Sequence, residues 1–287
     1  MTSIKWQDGS TEQKVTKFYQ HGVENFGQFH KGYLNFGLWE NGNTDYITAS
    51  ENLISCLGNL LEFNNSNLLD VACGMGAQDV FLMENFNLNS ITALDLLYEH
   101  LKYGRERAQA ADFEDKIDFI QGTATKLPFE NNSFDRALCI EGLIHFNTRT
   151  DFFKETYRCL KNDSIFVVSD YCLKRAPTTK WQQFALKSTL KLWNIPKENV
   201  STISQYKNIL ESIGFSEVEI YPIGEKVIPG YFNEQHSKAC LKELTRIRGF
   251  FAGRIGHIID HAVYRTFKWG LIDYILVKAR KKSLCKQ

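Results

Sequence analysis

The stretch NLLDVACGMGAQDV, residues 67–80, decides the fold. A short apolar run ends in the turn Cys73-Gly74-Met75-Gly76, and a helical pattern through Phe81 and Met83 follows. Strand, glycine turn and helix in that order open a βαβ unit. Upstream, Leu53, Ile54, Leu57, Leu60 and Leu61 recur at helical spacing and feed the strand. Downstream, the pattern predicts strands over 91–94, 117–121, 134–140 and 165–169, a helix over 98–111, and another carrying Phe152, Phe153, Thr156, Tyr157 and Leu160. Parallel strands need crossover connections, and helices supply them. The expectation is an α/β, Rossmann-like fold: a seven-stranded, mostly parallel sheet with helices on both faces.

The remaining elements complete that sheet. The pattern loosens over 171–200, where Pro177 and Pro196 punctuate helical pieces expected to lie over the open edge of the sheet. Ser201 is predicted to cap a helix presenting Ile203, Tyr206, Ile209, Leu210 and Ile213, ended by Gly214. A sixth strand over 215–221, a helical region over 233–266 and a last strand from Gly270 follow. The chain thus divides into a cover segment, 1–45, and a main domain, 46–287, with cap insertions at about 171–200 and 228–266.

Composition narrows the function. Lys and Arg number 34 against 33 acidic residues, so the basic excess of a protein that tracks phosphates is missing and nucleic acid is not expected as a partner. The seven cysteines are scattered without the paired spacings of a zinc site, no His and carboxylate cluster has ligand spacing, and reduced thiols in a cytoplasmic protein are expected. No stretch reaches the ~20 apolar residues of a spanning helix, so no integral membrane association is expected. A homodimer is compatible with these features.

In an open α/β sheet, ligands sit beyond the carboxyl ends of the strands, where the strand order reverses. Gly74 and Gly76 let backbone approach a ligand closely, and Asp95, about 20 residues beyond the glycine turn, can accept ribose hydroxyls. Nicotinamide dehydrogenases and methyltransferases compete for this geometry. A dinucleotide fold wants a third glycine where this chain has Asp79, whose charge would oppose a pyrophosphate. S-adenosylmethionine has no phosphate and carries an ammonium and a sulfonium, a need that Asp70 meets.

LLDVACGMG, ITALDL, FIQGTATKLPF, SFDRALCIEGLIHF and GLIDYILVKAR resemble, as an ordered set, the motifs of class I S-adenosylmethionine-dependent methyltransferases. The chain is most similar to small-molecule members such as the rebeccamycin sugar O-methyltransferase and the tocopherol and sterol methyltransferases. Their Tyr-x-x-Gly-Trp segment is echoed by Tyr33, Gly37 and Trp39. The resemblance implies that Ala72, Gly74 and Gly76 line the methionine end of S-adenosyl-L-methionine while Asp95 holds the ribose. Leu96 and His100 would flank the adenine. Thr123, followed by Ala124, stands where the family usually has an aspartate for the adenine amino group. Cys139 and Glu141 would face the methionine moiety, with Tyr33 and Gln28 closing over it.

Methyl transfer is an in-line displacement, so alignment supplies much of the catalysis, but a hydroxyl or amine acceptor must lose a proton. His145, in Glu-Gly-Leu-Ile-His-Phe after the fourth strand, is the expected base, with Asp170 orienting the imidazole or acting directly. Phe26, Phe29, Trp39, Tyr171, Trp181, Phe184, Trp193, Tyr231 and Phe232 fill the cover stretches and point to a closed, apolar acceptor site. The expected activity is methylation of a hydroxyl on a small, apolar or aromatic specialised metabolite. C- or N-methylation, a nicotinamide oxidoreductase and a silent cofactor-binding partner stand as alternatives.

Overall fold

A computed structural model of the chain describes residues 4, 7, 9–20, 27, 29–40 and 45–282, without the side chains of 18, 20, 248 and 250–260. Gln28 and Phe26 lie outside the described residues.

The apolar runs form one seven-stranded sheet: β1 (Ser66–Val71), β2 (Leu88–Asp95), β3 (Ile117–Gln121), β4 (Phe134–Ile140), β5 (Leu160–Leu173), β6 (Ser216–Pro222) and β7 (Ile272–Lys281). Its order is β3-β2-β1-β4-β5-β7-β6, and β7 runs antiparallel between β5 and β6. β1 pairs in parallel with β2 on one side and with β4 on the other, so the order reverses between β1 and β4. Strand residues alternate between two cores: Leu68, Ile91 and Leu138 belong to one, Leu69, Val71 and Ala137 to the other.

The first core lies under α2 (Tyr46–Leu61), α3 (Ala77–Asn85) and α4 (Tyr98–Ala110). Asp45 caps α2 by accepting the Thr48 N–H at 3.0 Å. The second core packs under α5 (Arg149–Cys159) and α7 (Ile203–Ile213). Over the carboxyl ends of the strands lie α1 (Thr11–Gln20), α6 (Lys180–Leu192), α8 (Gly224–Gln235) and α9 (Lys238–Lys268), the last interrupted at Gly249 (φ 75°). Among the described residues, no helix is long and apolar enough to cross a membrane.

Three details differ from the sequence pattern. β5 runs on to Leu173, paired throughout with β7, so Asp170 lies inside a strand and not at its end. The cap of α7 is Thr202, in a capping box with Gln205, while the Ser201 hydroxyl accepts from Arg149 at 3.2 Å. The second insertion begins earlier than expected, at Gly224, because α8 precedes α9.

Candidate active site

The turn after β1 is the floor of the crevice at the switch point. Gly74 takes φ 58°, and a Cβ there would come within 3.1 Å of Leu34 Cδ1, so bare backbone faces the cover segment. Asp95, at the end of β2, accepts the Gly74 N–H at 3.0 Å and the Leu97 N–H at 2.8 Å, one on each oxygen. Each oxygen keeps a second lone pair. His100, buried on α4, lies 3.4 Å from the same carboxylate. Ala72 (φ 64°) and Glu141 (φ 60°) both hold left-handed backbone on either side of the switch point, a conformation that costs of order 1–3 kcal/mol for a non-glycine residue and recurs at functional sites.

Several expected positions serve other contacts. A Cβ on Gly76 would meet Gly104 Cα at 2.6 Å and the Phe119 ring, so this glycine lets α3 pack on α4 and does not open space for a ligand. The Cys139 thiol is buried in the core under α5 and α7, where it packs beside Gly142 and Ala72. Tyr33 donates its hydroxyl to Glu51 of α2 at 3.0 Å instead of capping the crevice. Asp79 is fully buried beside Asp70; burial raises both carboxyls, and the charge of Asp70 raises Asp79 further. Gln78 donates to Asp70 as well. Leu96 and Thr123, expected to bound an adenine, are half-buried beyond the ends of β2 and β3, and Ala124 is buried next to Thr123, whose hydroxyl lies 3.3 Å from that of Thr125.

At the other wall, Glu141 follows β4. It accepts the Phe36 N–H at 2.8 Å and the Tyr274 hydroxyl at 2.7 Å, tying the cover segment to the last strand. Burial pushes its carboxyl up to about 7, against the two hydrogen bonds that favour the ion. The cover is fixed further by the Tyr46 hydroxyl on the Asn35 carbonyl at 2.6 Å and by the Leu38 N–H on the Ala49 carbonyl at 2.7 Å.

His145 sits on a short 3-10 turn, Leu143–His145, and is only 7% exposed. Its Nε2 is 2.9 Å from the Tyr19 hydroxyl of α1, whose ring packs edge-on against it at 5.5 Å. The Trp193 backbone faces the same imidazole. Burial lowers its pKa to about 4, so the imidazole is neutral throughout the ordinary pH range. A Nδ1–H tautomer, donating to the Trp193 carbonyl, leaves Nε2 as acceptor of the Tyr19 proton.

Asp170 does not meet this imidazole. Its carboxylate takes Arg149 Nε at 2.8 Å, the Tyr206 hydroxyl at 3.1 Å and the Tyr171 N–H at 2.7 Å. Arg149 continues to the Asn199 and Tyr171 carbonyls, and Asn199 Nδ2 donates to the carbonyls of Leu143, Ile144 and Phe146. Asp170, Arg149 and Asn199 therefore fasten the turn that presents His145. Tyr19, Leu34, Arg149 and Asn199 carry no local sequence signal, because each acquires its partner through contacts distant in the chain.

The expected aromatics divide. Tyr171 and Trp193 pack 6.4 Å apart beside the site, and Tyr231 stacks on Phe36 at 3.7 Å. Trp39 packs against Gly230, and Phe232 stacks on Tyr264 at 4.1 Å, away from the crevice. Trp181 and Phe184 are 77% and 65% exposed, and Phe29 is exposed as well.

A crevice at the switch point, walled by carboxylates and floored by glycine backbone, fits a cationic nucleoside and so defines a methyltransferase site. Residues 69–168 match the family model described as "Methyltransferase domain". The chain is 30% identical over 258 residues to an erythromycin 3''-O-methyltransferase of Saccharopolyspora erythraea, covering 87% of this chain and 83% of that one. It is 24% identical over 168 residues to a 27-O-demethylrifamycin SV methyltransferase of Amycolatopsis mediterranei, covering 58% and 61%. A crystal structure of the [4+2]-cyclase SpnF superposes with a TM-score of 0.74 at 19% identity, over 98% of this chain and 99% of that one. Geranyl diphosphate C-methyltransferase of Streptomyces coelicolor A3(2) gives 0.74 at 14% identity, over 96% and 100%. These two superpositions show the shared fold. The chain belongs to the S-adenosylmethionine-dependent methyltransferases, and within them to the small-molecule type. It is an enzyme that uses S-adenosyl-L-methionine, and the nicotinamide and silent-partner readings fall.

Proposed function

We propose that this enzyme methylates a hydroxyl of a small apolar metabolite, with His145 as general base. The observation that carries the reading is a buried, neutral imidazole whose Nε2 already meets a hydroxyl, that of Tyr19, at 2.9 Å. An acceptor hydroxyl seated in place of that phenol would find its proton acceptor in position.

When bound, S-adenosyl-L-methionine supplies an electrophilic methyl group. Asp95 would hold the ribose through its free lone pairs, Ala72 and Gly74 would leave room for the methionine end, and Leu96, His100, Thr123 and Ala124 would bound the adenine. Asp70 and Glu141 would turn carboxyl oxygens toward the ammonium and sulfonium, whose positive charge would favour the ionised form of both. The 143–146 turn, held by Asn199, aligns the base, and α1 with Leu34 excludes water. Asp170 acts as a positioning residue through Arg149. Residues 1–45 form a cover on a domain spanning 46–287. Cytoplasmic location, no nucleic-acid partner and a homodimer complete the reading, supported by the balanced charge and by the free, buried thiols of Cys73, Cys139, Cys159 and Cys172.

Transfer of labelled methyl groups to a panel of apolar alcohols and phenols tests this. His145→Ala is expected to lose about a hundredfold or more in kcat while S-adenosylhomocysteine still binds. The wild-type rate is expected to show no acid limb near pH 6.5, since the imidazole protonates only near 4. Unchanged turnover in His145→Ala at neutral pH would remove the base from the mechanism.

A further inference from the structure

Trp181, Phe184 and Leu192, three of the six exposed large apolar side chains among the described residues, lie on the single helix α6. The opposite face of that helix is packed: Leu186 and Thr189 are buried, and Leu190 closes on the apolar core. At about 100° per residue, Lys180, Phe184, Lys187 and Lys191 form one outward stripe, and Trp181 and Leu192 border it along one side.

The charge around these rings is one-sided. Between 174 and 197 the chain carries Lys174, Arg175, Lys180, Lys187, Lys191 and Lys197 and no acidic residue, although Lys and Arg number only 34 against 33 acids in the whole. Lys174 and Lys197 meet Asp273 and Glu198, whereas no carboxylate among the described residues pairs with Lys180, Lys187 or Lys191. Helix stability does not explain the stripe either, since Lys180 opens α6, where the macrodipole opposes a cation. Exposed aromatics among unpaired lysines are the make-up of a helix that lies in the headgroup layer of a bilayer. The rings enter the acyl boundary, and the long lysine stems keep their ammonium groups at the anionic surface. Protein interfaces, by contrast, are depleted in lysine. A second copy laid on this face would set lysines against lysines, with no acid in the segment to answer them.

We infer that the outer face of α6 docks on an anionic lipid surface, with Trp181 and Phe184 inserted and Lys180, Lys187 and Lys191 against the headgroups. The contact is peripheral, because a 13-residue helix with one packed face lies along the bilayer plane and does not span it. The lysines and the rings supply two separate attractions, one screened by salt and one not. The inference goes beyond the proposed reaction and does not depend on it.

The test is flotation of the full chain with vesicles of phosphatidylcholine alone or with about 30 mol% phosphatidylglycerol, at about 0.1 and 0.5 M salt. The wild type is expected to bind the anionic vesicles at least about tenfold more tightly than the neutral ones, with the preference shrinking at high salt. A triple variant, Lys180→Gln with Lys187→Gln and Lys191→Gln, is expected to lose most of that preference. Trp181→Ala combined with Phe184→Ala is expected to lose about tenfold in affinity for the anionic vesicles. Bilayers with brominated acyl chains should quench the wild-type tryptophan fluorescence, and the quenching should vanish in Trp181→Phe while binding remains. All the altered side chains are exposed, and the melting temperature of each variant reports whether it folds. No vesicle binding, equal binding to the two compositions, or binding unchanged in both multiple variants would overturn the inference. So would a dimer in sedimentation velocity that Trp181→Ala dissolves, which would assign the face to a second copy of the chain.

Discussion

Glu141 shows how much depends on one carboxyl. It sits at the switch point and holds Phe36 of the cover and Tyr274 of β7 at once. Burial raises its pKa from 4.5 to about 7, so the folded state binds more protons than the unfolded chain between those values. Its contribution to stability is therefore complete below about 4.5 and is lost as pH rises through 7. Chemical denaturation of Glu141→Gln from pH 5 to 8 should show the variant gaining on the wild type as pH rises. A gap between the two that is constant with pH would mean that the carboxyl is ionised throughout. His145 titrates in the opposite sense. Neutral when folded, it loses its contribution as pH falls from about 6.5 toward 4. At this scale the sequence was legible in part. Asp95 and Gly74 stand together as the spacing implied. The tasks of Gly76, Tyr33 and Asp170 were not legible, because each is set by a partner distant along the chain: Gly104, Glu51 and Arg149.

The elements that present the site are joined by buried polar ties. Asp170 on β5 and Arg149 at the start of α5 are both buried, and removal of one partner leaves an uncompensated charge costing about 3–5 kcal/mol. Asp170→Asn and Arg149→Met should each destabilise by roughly that amount, whereas the double variant should recover part of the loss in a double-mutant cycle. Additive losses in urea denaturation would show that the two side chains act apart. The α7 cap is a smaller matter. Thr202→Ala removes one side of the capping box and should cost about 1 kcal/mol, and Ser201→Ala should leave α7 itself unaffected. Equal losses from helix-end fraying, read by hydrogen exchange at Gln205, would restore Ser201 as the cap. Helix and strand positions were readable because apolar period alone sets them. The choice between Ser201 and Thr202 was not, since it turns on which hydroxyl Arg149 takes.

Across the whole molecule, the strand order places five βα junctions at one end of the sheet, and the reversal between β1 and β4 opens the crevice there. Alternating periods and the ordered motifs carried this architecture in the sequence, since a parallel sheet buried on both faces needs little beyond pattern to specify it. The cover was not readable in the same way. Its aromatics gave no period, and only the structure separates Tyr171 and Trp193, which wall an apolar cavity, from Trp181 and Phe184 on the outside. The central claim is that carboxylates and bare backbone hold a cationic nucleoside without a phosphate cradle. Calorimetric titration of S-adenosylhomocysteine and of NAD into the wild type and Asp95→Ala tests it most directly. The expected result is one molecule of S-adenosylhomocysteine bound per chain, affinity at least about tenfold weaker in Asp95→Ala, and no heat from NAD. Equal affinity in the variant, or NAD binding in competition, would contradict it.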